Sequence, residues 1–455
     1  MSTKTHFHFT GICGTAMGAV AVAMKQRGFT VTGSDARVYP PMSDFLRDQG
    51  IILTEGYSEE NIPTDTDVVI IGNAISRGNP EAEAALDRKL LYYSLPEVLK
   101  EFFLRGKRNF VVSGTHGKTT TSSMLAWIFK NAGRDPGYMI GGLPKNLGVG
   151  AHFTDSEINV LEGDEYDTAF FDKRSKFVHY RTRTAILNNL EHDHADIFPN
   201  VEAIQTQFHH LVRTVPANGL IVSNGRDDHL KHALQMGCWS SVEEFGPGLL
   251  WDFKRAERET QFNVIFKGVD KGMVEWDQMG THNTMNALAA IAAARHAGVP
   301  TKMAIDALNE FEGVARRMEN KGEIGGVTVY DDFAHHPTAI HATLAGLRKR
   351  VGEKRIFAVI EPRTNTMKLG TMRAALPISL SLANVVFVYA KDLGWDVAKS
   401  LESIGTKTGV FEDLTAMVNA IVVMSKPGDQ ILVMSNGGFG GVHGKILAAL
   451  AQREM

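Results

Sequence analysis

The stretch Val111-Val112-Ser113-Gly114-Thr115-His116-Gly117-Lys118-Thr119-Thr120-Thr121 decides how this chain folds. Upstream, residues 110–113 read as the end of a buried strand, and downstream residues 122–129 alternate like an amphipathic helix. The glycine-bearing turn between them can present backbone N–H groups to an anion at a helix N-terminus. At this spacing Lys118 reaches β- and γ-phosphates, and the Thr119 hydroxyl can hold Mg²⁺. The longer P-loop pattern has glycine where Val112 stands, and an ordinary glycine turn before a helix has a similar composition. Strand, Gly-Lys-Thr-Thr and helix in this order favour a nucleoside triphosphate site.

The same rhythm runs outward from that stretch. Before it, residues 6–10, 30–33, 68–71 and 90–93 read as strands and 17–27 and 42–49 as helices. The charged run 105–108 marks a boundary. After it, strands are expected at 158–161, 184–188 and 220–224, with a helix at 202–212. The alternation over 261–269 suggests a small antiparallel insertion, and an alanine-rich helix over 283–296 runs into Gly298. A second boundary falls near 313–319, and strands restart at 326–330, 356–360, 384–389 and 430–434. A chain of 455 residues suggests about three domains. The expected fold is α/β: a Rossmann-like domain over 1–106, a central P-loop domain with a mostly parallel sheet over 107–314, and a Rossmann-like α/β domain over 315–455.

Composition narrows the function classes. Hydrophobic content of 44% with 22% charged residues is that of a globular protein, and a net charge of −3 leaves no footprint for nucleic acid. Cys13 and Cys238 are the only cysteines, too few for a disulfide framework or a cysteine zinc site. Apolar stretches such as 287–294 are too short to span a bilayer, and Met1-Ser2-Thr3-Lys4 leads into a strand without an apolar leader. A cytoplasmic protein is expected, with no membrane partner.

Several further clusters carry chemistry. Gly11-Ile12-Cys13-Gly14-Thr15-Ala16-Met17-Gly18 follows a strand and opens a helix, one residue out of step with the dinucleotide fingerprint, and Ser34-Asp35 ends the next strand. A nicotinamide cofactor, another diphosphate or no ligand would satisfy this turn. Glu162-Gly163-Asp164-Glu165 follows the strand at 158–161, where a P-loop enzyme holds Mg²⁺, although such runs are commonly solvated loops. Asn188-Asn189-Leu190-Glu191-His192-Asp193-His194 follows another strand. Its spacing invites zinc, but a neighbouring triphosphate favours a second Mg²⁺ with His194 as ligand, while His192 reads as a surface histidine. Asn283 and Asn286 share a helix face and could read adenine, or Asn283 could cap the helix. Arg316-Arg317 sits at the hinge, where a guanidinium could reach the γ-phosphate on closure. Asp331-Asp332-Phe333-Ala334-His335-His336-Pro337 follows the first strand of the last domain.

Taken together, these motifs resemble the muramyl ligase family, ATP-dependent amide-forming enzymes of bacterial peptidoglycan synthesis. The resemblance covers nearly the whole chain. It implies an ATP site of Gly114, Thr115, His116, Gly117, Lys118, Thr119, Thr120, Asn283, Asn286, Arg317 and Asp332. It implies Mg²⁺ on Thr119, Glu162 and His194, with Glu165 the weaker substitute, and a catalytic set of Lys118, Glu162, His194, Arg317 and Asp332. A UDP-sugar site is implied at Gly11, Ile12, Cys13, Gly14, Met17, Gly18, Ser34, Asp35, Asn73 and Ala74. Segments 38–42, 72–80, 170–177, 361–368 and 435–441 resemble a recycling branch that joins UDP-N-acetylmuramate to the tripeptide L-alanyl-γ-D-glutamyl-meso-diaminopimelate. On that resemblance Arg363, Asn365 and Lys368 are peptide-binding candidates, and the glycines of 437–441 allow close backbone approach. Some branches support a second metal with a carbamylated lysine downstream of the histidine, and residues 178–229 contain no lysine. The rival readings are an L-alanine-adding ligase of the same family and, more distantly, an NAD-dependent oxidoreductase.

Overall fold

Three sheets succeed one another along the chain in the computed structural model, which describes residues 5–258, 260–405 and 407–454. Met1–Lys4, and with them the reading of the chain's start, lie outside the described residues. The first sheet is wholly parallel, in the order Ile52–Glu55, Thr30–Asp35, His6–Thr10, Val68–Ile71, Leu91–Ser94. His6–Thr10 and Val68–Ile71 are buried at every residue, because the crossover segments cover both faces of a parallel sheet. The strand order reverses between these two, so a crevice opens at their C-terminal ends, beside the 11–14 turn.

The second sheet has ten strands, in the order Val269–Glu275, Gln261–Phe266, Trp251–Arg255, Ser241–Phe245, Leu220–Asn224, Thr182–Leu187, Arg108–Ser113, Ile158–Gly163, Gly137–Met139, Ala151–His152. The P-loop strand Arg108–Ser113 is flanked in parallel by Thr182–Leu187 and Ile158–Gly163. Their three C-terminal loops therefore converge: the P-loop, the acidic run and the Asn188–His194 segment. On one face the helices Lys118–Asn131 and Thr281–His296 pack together, the second with ten of its residues buried. The alternating stretch at 261–269 is not a separate insertion. It supplies Gln261–Phe266 and opens Val269–Glu275, which pair antiparallel and, through Trp251–Arg255, extend the main sheet. Arg108, expected in the boundary run, begins the P-loop strand.

The third sheet runs Glu319–Ile324, Val327–Asp332, Gln430–Met434, Ile356–Ile360, Val385–Tyr389, Lys407–Phe411, with only its first pair antiparallel.

Two contacts set the sheets against each other. A hairpin of Asp167–Ala169 and Asp172–Ser175 leaves the central region. Its tip residues Phe170 and Phe171 pack on the cluster of Ile71, Ile75 and Ala82 in the first sheet's domain. Phe171 meets Tyr92 edge-on at 4.8 Å, and the Asn73 amide donates to the Asp167 carbonyl at 2.6 Å. On the other side, Thr366 Oγ1 donates to Asp193 at 3.1 Å and the Asn365 amide to Asp196 at 2.8 Å.

Phe171 is only half-buried, so Phe171→Ala is expected to lose about 1–2 kcal/mol, less than a fully buried phenylalanine. Hydrogen exchange should rise first at Val68–Ile71 and at the hairpin, with the third sheet unchanged.

Candidate active site

The geometry of the P-loop follows from two glycines. Gly114 has φ +150°, and a Cβ there would lie 2.9 Å from Asn188 Cβ. Gly117 has φ +81°, and a Cβ there would lie 2.6 Å from Asn286 Oδ1. Neither position admits a side chain without moving the asparagines. Gly117 also caps the helix Lys118–Asn131 without a side-chain bond, which leaves its first N–H groups to a ligand.

The loop is held to the segment after Thr182–Leu187. The Thr115 N–H donates to the Asn189 carbonyl at 3.1 Å, and the His116 N–H to Asn189 Oδ1 at 2.7 Å. Asn189 Nδ2 returns a bond to the His116 carbonyl at 3.0 Å, and the Glu191 N–H donates to Thr115 Oγ1 at 2.9 Å. This zipper was not expected from sequence, where Asn188 and Asn189 were only part of a polar run.

Charge is concentrated at the mouth. Lys118 Nζ donates to the Gly114 carbonyl at 2.7 Å and to Glu165 Oε2 at 2.8 Å. Thr119 Oγ1 donates to Glu162 Oε1 at 2.9 Å, and the other oxygen of Glu162 accepts the Gly141 N–H at 2.7 Å. His194 Nε2 lies 3.4 Å from Glu165 Oε1. The expected metal set is thus divided: Thr119 with Glu162, and His194 with Glu165, which joins histidine to lysine.

Titration follows from this packing. Burial opposes the Lys118 ammonium, but Glu165, Asp164 and Glu162 outweigh it and raise the pKa. Desolvation and the neighbouring Asp164 raise the Glu162 carboxyl, against Lys118, the Gly141 N–H and Thr119. Burial also opposes the Glu165 carboxylate, yet Lys118 and His194 draw it down to about 2. His194 is raised because its bond to Glu165 overcomes desolvation. Glu162, Asp164 and Glu165 surround Lys118, with Asp164 also 3.4 Å from Lys176 Nζ; the Thr119 hydroxyl and these carboxylate oxygens are a donor set that suits a hard divalent cation such as Mg²⁺.

A cavity of about 520 Å³ opens beside the loop, lined by His116, Gly117, Thr120, Asn286 and, from the last domain, Arg317 and Asp332. Asn283 also lines it but does not cap its helix. That helix begins at Thr281 behind Gly280, so Asn283 lies in its first turn and donates to the Met279 carbonyl at 2.7 Å. Asn286 Nδ2 in turn donates to Asn283 Oδ1 at 3.3 Å. The two arginines at the hinge part company. Arg316 lies 3.2 Å from Asp331 and donates to the Ser435 and Gly437 carbonyls, each at 2.7 Å. Arg317 stays at the cavity, 5.0 Å over the Phe333 ring and near Asp332. Burial raises Asp332, against Arg317 and the Ala334 and Met318 N–H groups.

In the first domain, the Gly11 and Ile12 N–H groups donate to the Ser34 carbonyl, and the Cys13 N–H donates to Asp35 Oδ2 at 2.9 Å. Gly14, Asn73 and Ala74 are exposed at the crevice. Met17, Gly18 and Ser34 lie beneath it: Gly18 leaves room for Met42, and the Ser34 hydroxyl donates to buried Glu81. His192, expected as a bare surface residue, is half-buried and pairs with the Phe198 carbonyl at 2.9 Å. Arg363 and Lys368 are exposed. Arg363 lies over Gly437, where a Cβ would come within 2.1 Å of its guanidinium. Asn365 is turned to Asp196 and the domain contact.

Because folding raises the proton affinity of His194, its pair with Glu165 stabilises fully below pH 6.5 and loses that contribution as pH rises through the folded value. For Glu165 the stabilisation is present above 4.5 and is lost as pH falls toward about 2. In the ligand-free protein, NMR should show His194 titrating above 6.5 and moving down in Glu165→Gln. If His194 ligates Mg²⁺, calorimetric affinity for Mg²⁺ should increase with pH over the same interval.

Three family models cover the chain in series. They are described as Mur ligase family, catalytic domain, at residues 6–107; Mur ligase middle domain, at 112–294; and Mur ligase, glutamate ligase domain, at 316–437. The chain is 51% identical over 449 residues, 98% of each sequence, to the UDP-N-acetylmuramate–L-alanyl-γ-D-glutamyl-meso-2,6-diaminoheptandioate ligase of Escherichia coli. It is 33% identical to a UDP-N-acetylmuramate–L-alanine ligase of Oleidesulfovibrio alaskensis, over 94% of this chain and 95% of that one. The crystal structure of a murein peptide ligase from Psychrobacter arcticus superposes with a TM-score of 0.75 at 41% identity, over 98% of this chain and 99% of that one. With a P-loop, its acidic partner and a hinge arginine gathered on a fold that these models match along its length, this chain belongs to the Mur ligase family.

Proposed function

We propose that this protein joins UDP-N-acetylmuramate to the tripeptide L-alanyl-γ-D-glutamyl-meso-diaminopimelate, with ATP cleaved to ADP and phosphate. The observation that carries the reading is Lys118, held between Glu165 and the Gly114 carbonyl in a loop whose His116, Gly117 and Thr120 line a cavity of nucleotide size. The choice of tripeptide over L-alanine rests on similarity, 51% identity against 33%.

A carboxylate is a poor acyl donor, because oxide would have to leave. In the proposed mechanism the lactyl carboxylate attacks the γ-phosphorus of ATP, giving an acyl phosphate and ADP. The amine of the tripeptide's L-alanine then attacks the acyl carbon, and phosphate leaves with the oxygen that attacked. The first step brings two anions together, so it depends on positive charge that is already in place. Lys118 supplies one charge on the β- and γ-phosphates, and Arg317 another from the third domain. Thr119, Glu162 and His194 are the residues that would hold Mg²⁺, which when bound neutralises phosphate charge. Asn283 and Asn286 would orient the nucleotide base. Asp332 fixes the Met318 N–H at 2.8 Å, next to Arg317, and so sets the hinge. Gly11, Ile12, Cys13, Gly14, Asp35, Asn73 and Ala74 would receive the UDP-sugar at the first sheet's switch point. Arg363 and Lys368 are assigned to the acidic groups of the peptide.

No helix among the described residues is long and apolar enough to cross a membrane. We assign the reaction to the cytoplasm, where ATP and UDP-sugars are found.

Offered a panel of amines with UDP-N-acetylmuramate and ATP, the enzyme should release ADP with the tripeptide and far less with L-alanine. The reverse preference would make it the alanine-adding enzyme. Lys118→Ala should cut turnover by at least about a hundredfold, as loss of a transition-state charge does, and the circular dichroism spectrum should be unchanged. Arg363→Ala with Lys368→Ala should raise the KM for tripeptide about tenfold or more, by about 1.4 kcal/mol of lost binding, with the KM for ATP unaffected. An unchanged tripeptide KM would remove both residues from the peptide site.

A further inference from the structure

Beside the oxygen-rich set at Thr119 and Glu162 lies a second group of donors with different chemistry. One ligand atom from each of His116, Glu191 and His336 lies within 4.8 Å of the other two. His116 Nε2 is 3.4 Å from Glu191 Oε2, and His336 Nδ1 is 3.5 Å from the same oxygen. Two ligands held about 2.1 Å from a tetrahedral ion are themselves about 3.4 Å apart, so both spacings are those of a coordination edge. The two imidazole ring centroids are 4.9 Å apart, with the planes tilted by 42°.

His336 adds an independent observation. It is 6% exposed, and the nitrogen that it turns to Glu191 is Nδ1. Its Nδ1 receives only the 3.3 Å N–H of Thr338, a weak cap that a cation would displace. Glu191 also accepts the Thr338 hydroxyl at 2.6 Å, which orients the carboxylate toward the histidines. The three residues come from separate elements. His116 belongs to the P-loop, Glu191 to the segment after Thr182–Leu187, and His336 caps the helix Pro337–Val351 of the last domain.

We propose that His116, Glu191 and His336 form a binding site for a zinc-class divalent cation that clasps the third domain to the P-loop. Two imidazoles and a carboxylate select borderline metals over Mg²⁺, which prefers oxygen ligands. His116 and Glu191 both line the nucleotide-sized cavity, so the fourth ligand position faces it and is open to water or phosphate. The site needs the two domains together, since neither holds all three ligands. It does not depend on which amine the enzyme accepts.

The test is zinc chloride titrated calorimetrically into the full-length protein, without nucleotide or Mg²⁺. Wild type should bind one ion per chain at this site. His336→Asn should weaken it at least tenfold, because asparagine can still cap the helix but does not replace the imidazole. His194→Ala should leave it in place. Zinc-soaked crystals should show an anomalous peak within about 2.5 Å of all three donors. Equal affinity in His336→Asn, binding that is lost with His194→Ala, or a peak between Glu165 and His194 would each overturn the assignment.

Discussion

The buried pair of Lys118 with Glu165, set beside Glu162 and Asp164, is the constraint on which the rest of the site depends. Lys118 is 11% exposed and Glu165 2% exposed, at 2.8 Å. A buried ion pair of this kind adds little net stability, because desolvation takes back most of the Coulomb attraction. Its presence is better explained by what it prepares. Glu162 and Asp164 lie nearby, Asp164 also 3.4 Å from Lys176, and the Thr119 hydroxyl with Glu162 offers oxygen ligands that suit a divalent cation. On the proposed function, such a cation together with Lys118 would make the site receptive to a triphosphate, which the carboxylates alone would repel.

Topology delivers the groups to one place. The P-loop strand lies between the strands that carry the acidic run and the Asn188–His194 segment, so three loops from distant parts of the sequence meet at one sheet edge. The other two domains are oriented by specific contacts: Phe170 and Phe171 toward the first sheet, and Asn365 and Thr366 toward the third. Arg317 reaches the cavity because its neighbour Arg316 is anchored to Asp331 and to the Ser435 and Gly437 carbonyls. One arginine is tied to the third sheet's domain, and the other lines the cavity.

Much of this was legible in the sequence. Ile356–Ile360 is a continuous apolar run, and Leu220–Asn224 and Gln430–Met434 are built on the apolar triplet Leu-Ile-Val and quartet Ile-Leu-Val-Met, so their bounds are legible because both faces are buried. Ile52–Glu55 and Lys407–Phe411 were missed, being short edge strands with mixed exposure that carry no such signal. The motif Gly-Lys-Thr-Thr points to the candidate site, but pairings across loops are hidden. Nothing in the spacing says that Glu165 meets Lys118 and Glu162 meets Thr119, because the strand's exit angle decides which carboxylate reaches which partner. Asn189 as the clamp of the P-loop and His336 beside His116 are likewise products of tertiary packing. A faint signal for the latter did exist, in His335-His336-Pro337 placed directly after a central strand.

The claim that the P-loop steers the γ-phosphate onto a sugar-linked carboxylate is tested most directly by following oxygen. UDP-N-acetylmuramate labelled with ¹⁸O in its lactyl carboxylate would be turned over with ATP and tripeptide, and the released phosphate analysed by mass spectrometry. An acyl phosphate intermediate requires one labelled oxygen to pass into inorganic phosphate for each amide formed. Phosphate free of label, with the amide bond nonetheless made, would contradict the account.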